Sequence, residues 1–98
     1  MSGYFIKAQD AQTDYAIDWA QRHLRESETV AADEGWTIVP ADPDGGLAIV
    51  SEMLSGTISK VVLGAGEPGK LYVVTAKMLT SDARVLTHSV AVRVAAEV

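Results

Sequence analysis

No cysteine occurs in the 98 residues, which excludes disulfides, thiolate nucleophiles and cysteine-ligated zinc and suits assembly in a reducing cytoplasm. Basic side chains are scarce relative to acidic ones. Eight lysines and arginines stand against 13 aspartates and glutamates, and the resulting net charge of −5 repels phosphate backbones, so nucleic acid is not an expected partner. No stretch approaches the roughly 20 apolar residues that a membrane-spanning helix requires. Met1-Ser2-Gly3-Tyr4 also lacks the basic region and apolar run of a cleaved signal, so neither membrane insertion nor signal-directed secretion is expected. Aromatic residues are few, at three tyrosines, two tryptophans and one phenylalanine, and most are needed inside a core.

What is present points to one globular unit. With 48% hydrophobic residues the chain can bury a single core, and residues 1–98 are too few for two independently stable domains. From Gly35 onward the sequence is written mostly in period two, in short runs separated by glycine, proline and aspartate. The clearest run is Lys70 to Thr80, which places Tyr72, Val74, Ala76 and Met78 on a core-directed face. Its expected partner is Arg84 to Ala95, with Leu86, His88, Val90, Val92 and Val94 on one side and Ser81-Asp82-Ala83 as the hairpin connection. Shorter strands are expected at Trp36 to Val39, Leu47 to Val50 and Thr57 to Leu63. Pro40 to Gly46 and Gly64 to Gly69 read as turns, because proline lacks the N–H donor and glycine and aspartate favour turn geometry.

The first third is less regular. Asp14 to Trp19 fits a strand, Ala20 to Glu26 a single helical turn or a loop, and Thr29 to Ala32 the start of another short strand. The count, about seven to nine short strands spaced by roughly 8 to 12 residues, predicts an all-β, immunoglobulin-like antiparallel β-sandwich. Tyr72, after Gly-Pro-Gly-like punctuation, is expected to pack its ring inward while its hydroxyl bonds backbone near the preceding corner.

Several motifs occur in an order that resembles a family of tailed-bacteriophage structural proteins, the fibre-tail adaptors or head-tail accessory proteins. They are Asp14-Tyr15-Ala16-Ile17-Asp18-Trp19, Trp36-Thr37-Ile38-Val39-Pro40, Gly46-Leu47, Val61-Val62-Leu63-Gly64-Ala65-Gly66, Tyr72-Val73-Val74-Thr75 and Ser89-Val90-Ala91-Val92-Arg93-Val94. Asp42-Pro43-Asp44-Gly45 lengthens the turn after Pro40 relative to the family pattern, and Asp82-Ala83 replaces a glycine turn before the last strand. The resemblance implies a virion component of the neck, the fibre-tail junction or the capsid surface, assembled in the host cytoplasm, contacting other virion proteins in several copies and holding no active site or cofactor.

Residues with chemical potential were weighed against structural roles. His23 and His88 lack carboxylate partners at metal-site or catalytic spacing, and His88 is expected at the core margin with a hydrogen-bond partner. Asp42-Pro43-Asp44-Gly45 has too few oxygen ligands for a calcium loop and reads as a turn, and Gly64-Ala65-Gly66 has no lysine or following helix for phosphate binding. None of the serines sits in a nucleophile elbow. No enzyme activity and no metal site are expected. Trp36 is assigned to the core, and Trp19 either to the core or to a partner contact. Tyr4, Phe5 and Ile6 form either an apolar anchor within an assembly arm covering residues 1–12 or the first strand of the sandwich. The competing function is a free-standing immunoglobulin-like binding module for carbohydrate or cell-surface adhesion, which would need exposed aromatics.

Overall fold

Where alternation is strict, the chain folds into strands that bury one face. A computed structural model describes residues 4–41 and 45–95, the side chains of Tyr4, Phe5 and Arg22 excepted. Seven strands and one helical turn follow in order: β1 (Tyr4–Lys7), β2 (Thr13–Asp18), α1 (Trp19–Arg22), β3 (Val30–Val39), β4 (Leu47–Ser55), β5 (Ile58–Ala65), β6 (Leu71–Thr80) and β7 (Val85–Val94). They form a four-stranded sheet, β1-β7-β6-β3, facing a three-stranded sheet, β2-β5-β4. All pairings are antiparallel except that of β1 with β7. Strands β1 and β3 end the larger sheet, and β2 and β4 end the smaller one.

Burial follows the alternation most faithfully in β6 and β7. Tyr72, Val74, Ala76, Met78 and Thr80 are buried on one face of β6, as are His88, Val90, Val92 and Val94 of β7. The register sets Tyr72 opposite Val92 and Val74 opposite Val90, so both strands present the same face to the smaller sheet. From that sheet Ile17, Val61 and Leu63 complete the core, with Trp19, Trp36 and Leu47 filling its margins. Burying a side chain of this size contributes about 1.5–3 kcal/mol, so the core supplies most of the driving force. The Tyr72 hydroxyl accepts a hydrogen bond from the Glu67 N–H at 3.1 Å, which ties the start of β6 to the preceding corner.

Two strands are longer than the sequence pattern suggests, for one physical reason. The short strands expected at Thr29 to Ala32 and at Trp36 to Val39 are one strand, β3, whose pairing with β6 shifts register between Val30 and Ala32 and again between Asp33 and Gly35. Each inserted residue moves the following side chains to the other face and hides the period-two signal. In β4 a shift between Ile49 and Ser51 acts likewise, and the strand continues past Val50 to Ser55. Strand β2 stops at Asp18, one residue earlier than expected, because the Asp18 carboxylate caps α1 by accepting from the Ala20 N–H at 3.1 Å. The Gly64-Ala65-Gly66 segment is less of a turn than it reads, since β5 runs through Ala65 and the bend falls on its last residue and the next, Ala65 at φ 58° and Gly66 at φ 106°. A side chain at Gly66 would place its Cβ 2.5 Å from Val94 Cγ2, so this corner requires glycine.

Candidate interface regions

Polar groups inside the fold are drawn into structural networks. Trp19 opens α1, is fully buried, and donates its Nε1 hydrogen to Ser59 Oγ at 2.8 Å. Beside it lies the imidazole of buried His88, as expected near a hydrogen-bond partner: Nε2 is 3.0 Å from the Tyr15 hydroxyl and Nδ1 is 3.3 Å from His23 Nε2. The rings of Trp19, His23 and His88 also pack against one another, tilted or edge-on, with centroids 5.4 to 6.5 Å apart. The two histidines that lie 65 residues apart in sequence are thereby brought together, although among the described residues no group of three metal-ligating side chains forms.

The segment after α1 is held down by an ion pair. Buried Glu28 accepts from Arg84 Nε at 3.0 Å and from Arg84 Nη2, while its Oε1 also accepts from the Arg25 N–H at 2.9 Å. The Arg84 guanidinium, foremost, holds the Glu28 carboxyl at about 2, well below its ordinary value of 4.5. Arg84 Nη2 reaches the His23 carbonyl at 3.3 Å, so one side chain of the β6–β7 hairpin fastens both ends of the irregular segment. The Ser81 N–H donates to the Thr29 carbonyl at 2.8 Å and the Thr29 N–H to Ser81 Oγ at 3.0 Å, two bonds that add to the clasp.

Lys7 is a buried cation. Its ammonium donates to the carbonyls of Ala8 at 2.7 Å, Gln9 at 3.1 Å and Ala65 at 2.7 Å, which satisfies its three hydrogens and joins β1 to β5 of the facing sheet. Burial holds the Lys7 pKa below its ordinary value, and nearby Asp10 works in the opposite direction.

The four residues read as candidate contacts separate. Tyr4, Phe5 and Ile6 lie in β1, so of their two readings the backbone takes that of the first strand, paired in parallel with Ala91 to Arg93 of β7. The side chains of Tyr4 and Phe5 lie outside the described residues, whereas Ile6 is 63% exposed. Trp19 takes its core reading, enclosed by Ser59, His23 and His88, and offers no surface to a partner. Asp42, Pro43 and Asp44 of the weighed turn also lie outside the described residues.

Two surfaces carry apolar character that the sequence reading did not single out. On the outer face of the larger sheet, Val39 pairs with Val73 and Val73 with Ala91, while Leu71 and Ile6 both stand opposite Arg93. Val39 is 64% exposed and Leu71 51%, and the outward positions of β6 and β7 add Lys77 and Arg93 but no acid. The signal was available in β6, whose odd-numbered face carries Leu71, Val73 and Leu79 where a solvated face is ordinarily polar. The second surface is a cleft of about 670 Å³ between the end strands β3 and β4, lined chiefly by Trp36 and Ile38 from one sheet and Leu47 and Ile49 from the other. Trp36 meets Tyr15 edge-on at 6.3 Å, but its Nε1 is buried without a hydrogen-bond partner among the described residues.

The family model described as Podophage GP4 fiber-tail adaptor protein gp77 matches this sequence over residues 7–93, from the last residue of β1 to Arg93 in β7. No curated protein matches.

Proposed function

The chain belongs to the podophage GP4 fiber-tail adaptor gp77 family, and we propose that it is a structural component at the junction of tail and fibre, working through protein contacts. The observation that carries this reading is the family match itself, which spans both sheets and every core residue but Val94. The arrangement of polar groups supports it. Lys7 is bound to three carbonyls, Glu28 to Arg84, and His88 to Tyr15 and His23, so the buried titratable side chains hold the fold together. The exposed apolar row of Val39, Val73, Leu71 and Ile6 supports contact with other proteins, as such residues gathered on one face favour association.

An immunoglobulin-like identity for the sandwich is part of the proposal. It draws support from the sheet orders β2-β5-β4 and β1-β7-β6-β3 and from the Tyr72 hydroxyl bonded to the corner before its strand. The carbohydrate-binding alternative finds no platform among the described side chains, since Trp19, Trp36 and Tyr72 are buried and Tyr15 packs against the core. We further propose assembly in several copies on a symmetric platform of the particle, in the host cytoplasm. Quantitative mass spectrometry of purified particles tests the reading: a copy number matching the symmetry of the tail is the expected result, and absence from particles would overturn it.

A further inference from the structure

The cleft between β3 and β4 combines three properties. Both flanking strands end their sheets, so each carries a row of N–H and C=O groups facing away from its only strand partner. Between them the floor is apolar, formed by Trp36, Ile38, Leu47 and Ile49, and among the described residues none that lines it is ionisable although the chain holds 21 charged residues. Within that floor, Trp36 is 6% exposed and its Nε1 donor has no acceptor among the described residues. A native interior rarely leaves such a donor unmatched.

Beyond the cleft along the same two strands the chemistry changes sign. Asp33 and Glu34 lie in β3 before Gly35, and Glu52 of β4 crosses toward them, its Oε1 3.2 Å from where a Cβ on Gly35 would stand. All three acidic residues are exposed; Lys77 is the cross-strand neighbour of Gly35. An occupant that fits this surface is apolar and uncharged where it crosses the cleft, and basic where it leaves past Glu52.

We propose that this cleft receives an extended apolar segment of another virion protein, inserted as a strand beside β3 or β4, with a flanking lysine or arginine against Glu52. A strand suits the site better than a compact ligand because its backbone supplies both donors and acceptors to the free edge. Its alternate side chains would meet the apolar floor. The proposal rests on the reading that the chain acts by protein contacts within a particle.

The test is a photo-crosslinking residue, p-benzoylphenylalanine, placed at Ala48, which is exposed and lines the cleft, in chains assembled into phage particles. A matched label at Ala16, exposed on β2 at the other end of the smaller sheet, serves as control. The expected product joins position 48, and not position 16, to an apolar stretch of a different virion protein with a basic residue next to it. Adding Glu52→Lys should lower that yield about tenfold at unchanged incorporation. A product joining two copies of this chain overturns the proposal, as does no product from incorporated chain, or one insensitive to Glu52→Lys. Absence of the unlabelled chain from particles overturns the adaptor reading itself, so the two failures are told apart by the incorporation measurement.

Discussion

Trp19 and Trp36 are both buried indoles in the same small core, yet one sits in a closed network and the other at an open edge. Around Trp19, the Nε1 hydrogen reaches Ser59, His88 bridges Tyr15 and His23, and Arg84 clasps Glu28 and the His23 carbonyl. Around Trp36, the edge strands β3 and β4 part to leave a cleft of about 670 Å³ and an indole donor without an acceptor. The difference separates a region that closes on itself from one that ends in two sheet edges. The Trp19 region is built to hold itself together, and the Trp36 region leaves surface and hydrogen-bonding capacity for something else.

Truncating the two tryptophans should separate these regions most strongly. Trp19→Ala is expected to cost about 3–5 kcal/mol in urea unfolding, because it opens a cavity at a fully enclosed site and removes the donor that satisfies Ser59. Gentler variants sharpen the contrast. Trp19→Phe should lose roughly 1–3 kcal/mol more than Trp36→Phe, since only the former strands a buried hydroxyl, whereas the latter removes a donor that had no acceptor. Equal losses would mean that the Trp36 indole is bonded in solution, and the distinction between the two regions would collapse.

Acid should distinguish the regions next. The Glu28 carboxyl titrates at about 2 in the folded chain against 4.5 ordinarily, so the folded pKa is depressed. Its contribution is therefore complete above about 4.5 and is lost as pH falls toward 2. Circular dichroism melts taken across that window are expected to show falling stability in the parent chain and a flatter profile in Glu28→Gln. Arg84→Gln leaves Glu28 buried without its cation and should shift the loss to higher pH. If Glu28→Gln retains the parent slope, the clasp is not what makes the closed region acid-sensitive.

The same contrast explains which parts of the structure were legible in the sequence. Strands β6 and β7, the Tyr72 corner and the hydrogen-bonded His88 could be read because alternation there is unbroken from Leu71 to Thr80 and, on the buried side, from His88 to Val94. The full lengths of β3 and β4 could not, because register shifts at Val30/Ala32, Asp33/Gly35 and Ile49/Ser51 reverse the phase that the eye follows. Trp19 was ambiguous because its neighbours Asp18 and Ala20 belong equally to a strand end or a helix start, and the Asp18 cap decides between them. The cleft was invisible for a different reason. Trp36, Ile38, Leu47 and Ile49 each look like ordinary inward residues, and only the sheet order reveals that their strands are both terminal.

The smallest expected effect concerns the hairpin that carries the clasp. Ala83 sits at φ 60°, a left-handed conformation in which its Cβ crowds the following carbonyl, while the Ala83 N–H donates to the Thr80 carbonyl at 3.0 Å and Thr80 N–H to the Arg84 carbonyl at 2.8 Å. Glycine adopts that conformation without strain, but it also gives the unfolded chain more freedom, so the gain from Ala83→Gly should be about 0.5–1 kcal/mol. Because the hairpin holds Arg84 against Glu28, the added stability should appear as slower hydrogen exchange at Thr29 and Ser81, whose N–H groups donate across the clasp to Ser81 Oγ and to the Thr29 carbonyl. Exchange at Ile38 and Ala48 on the open edge should stay unchanged up to the limit set by global unfolding. An equal slowing at both places would show that the two regions open as one cooperative unit and that the cleft has no local freedom of its own.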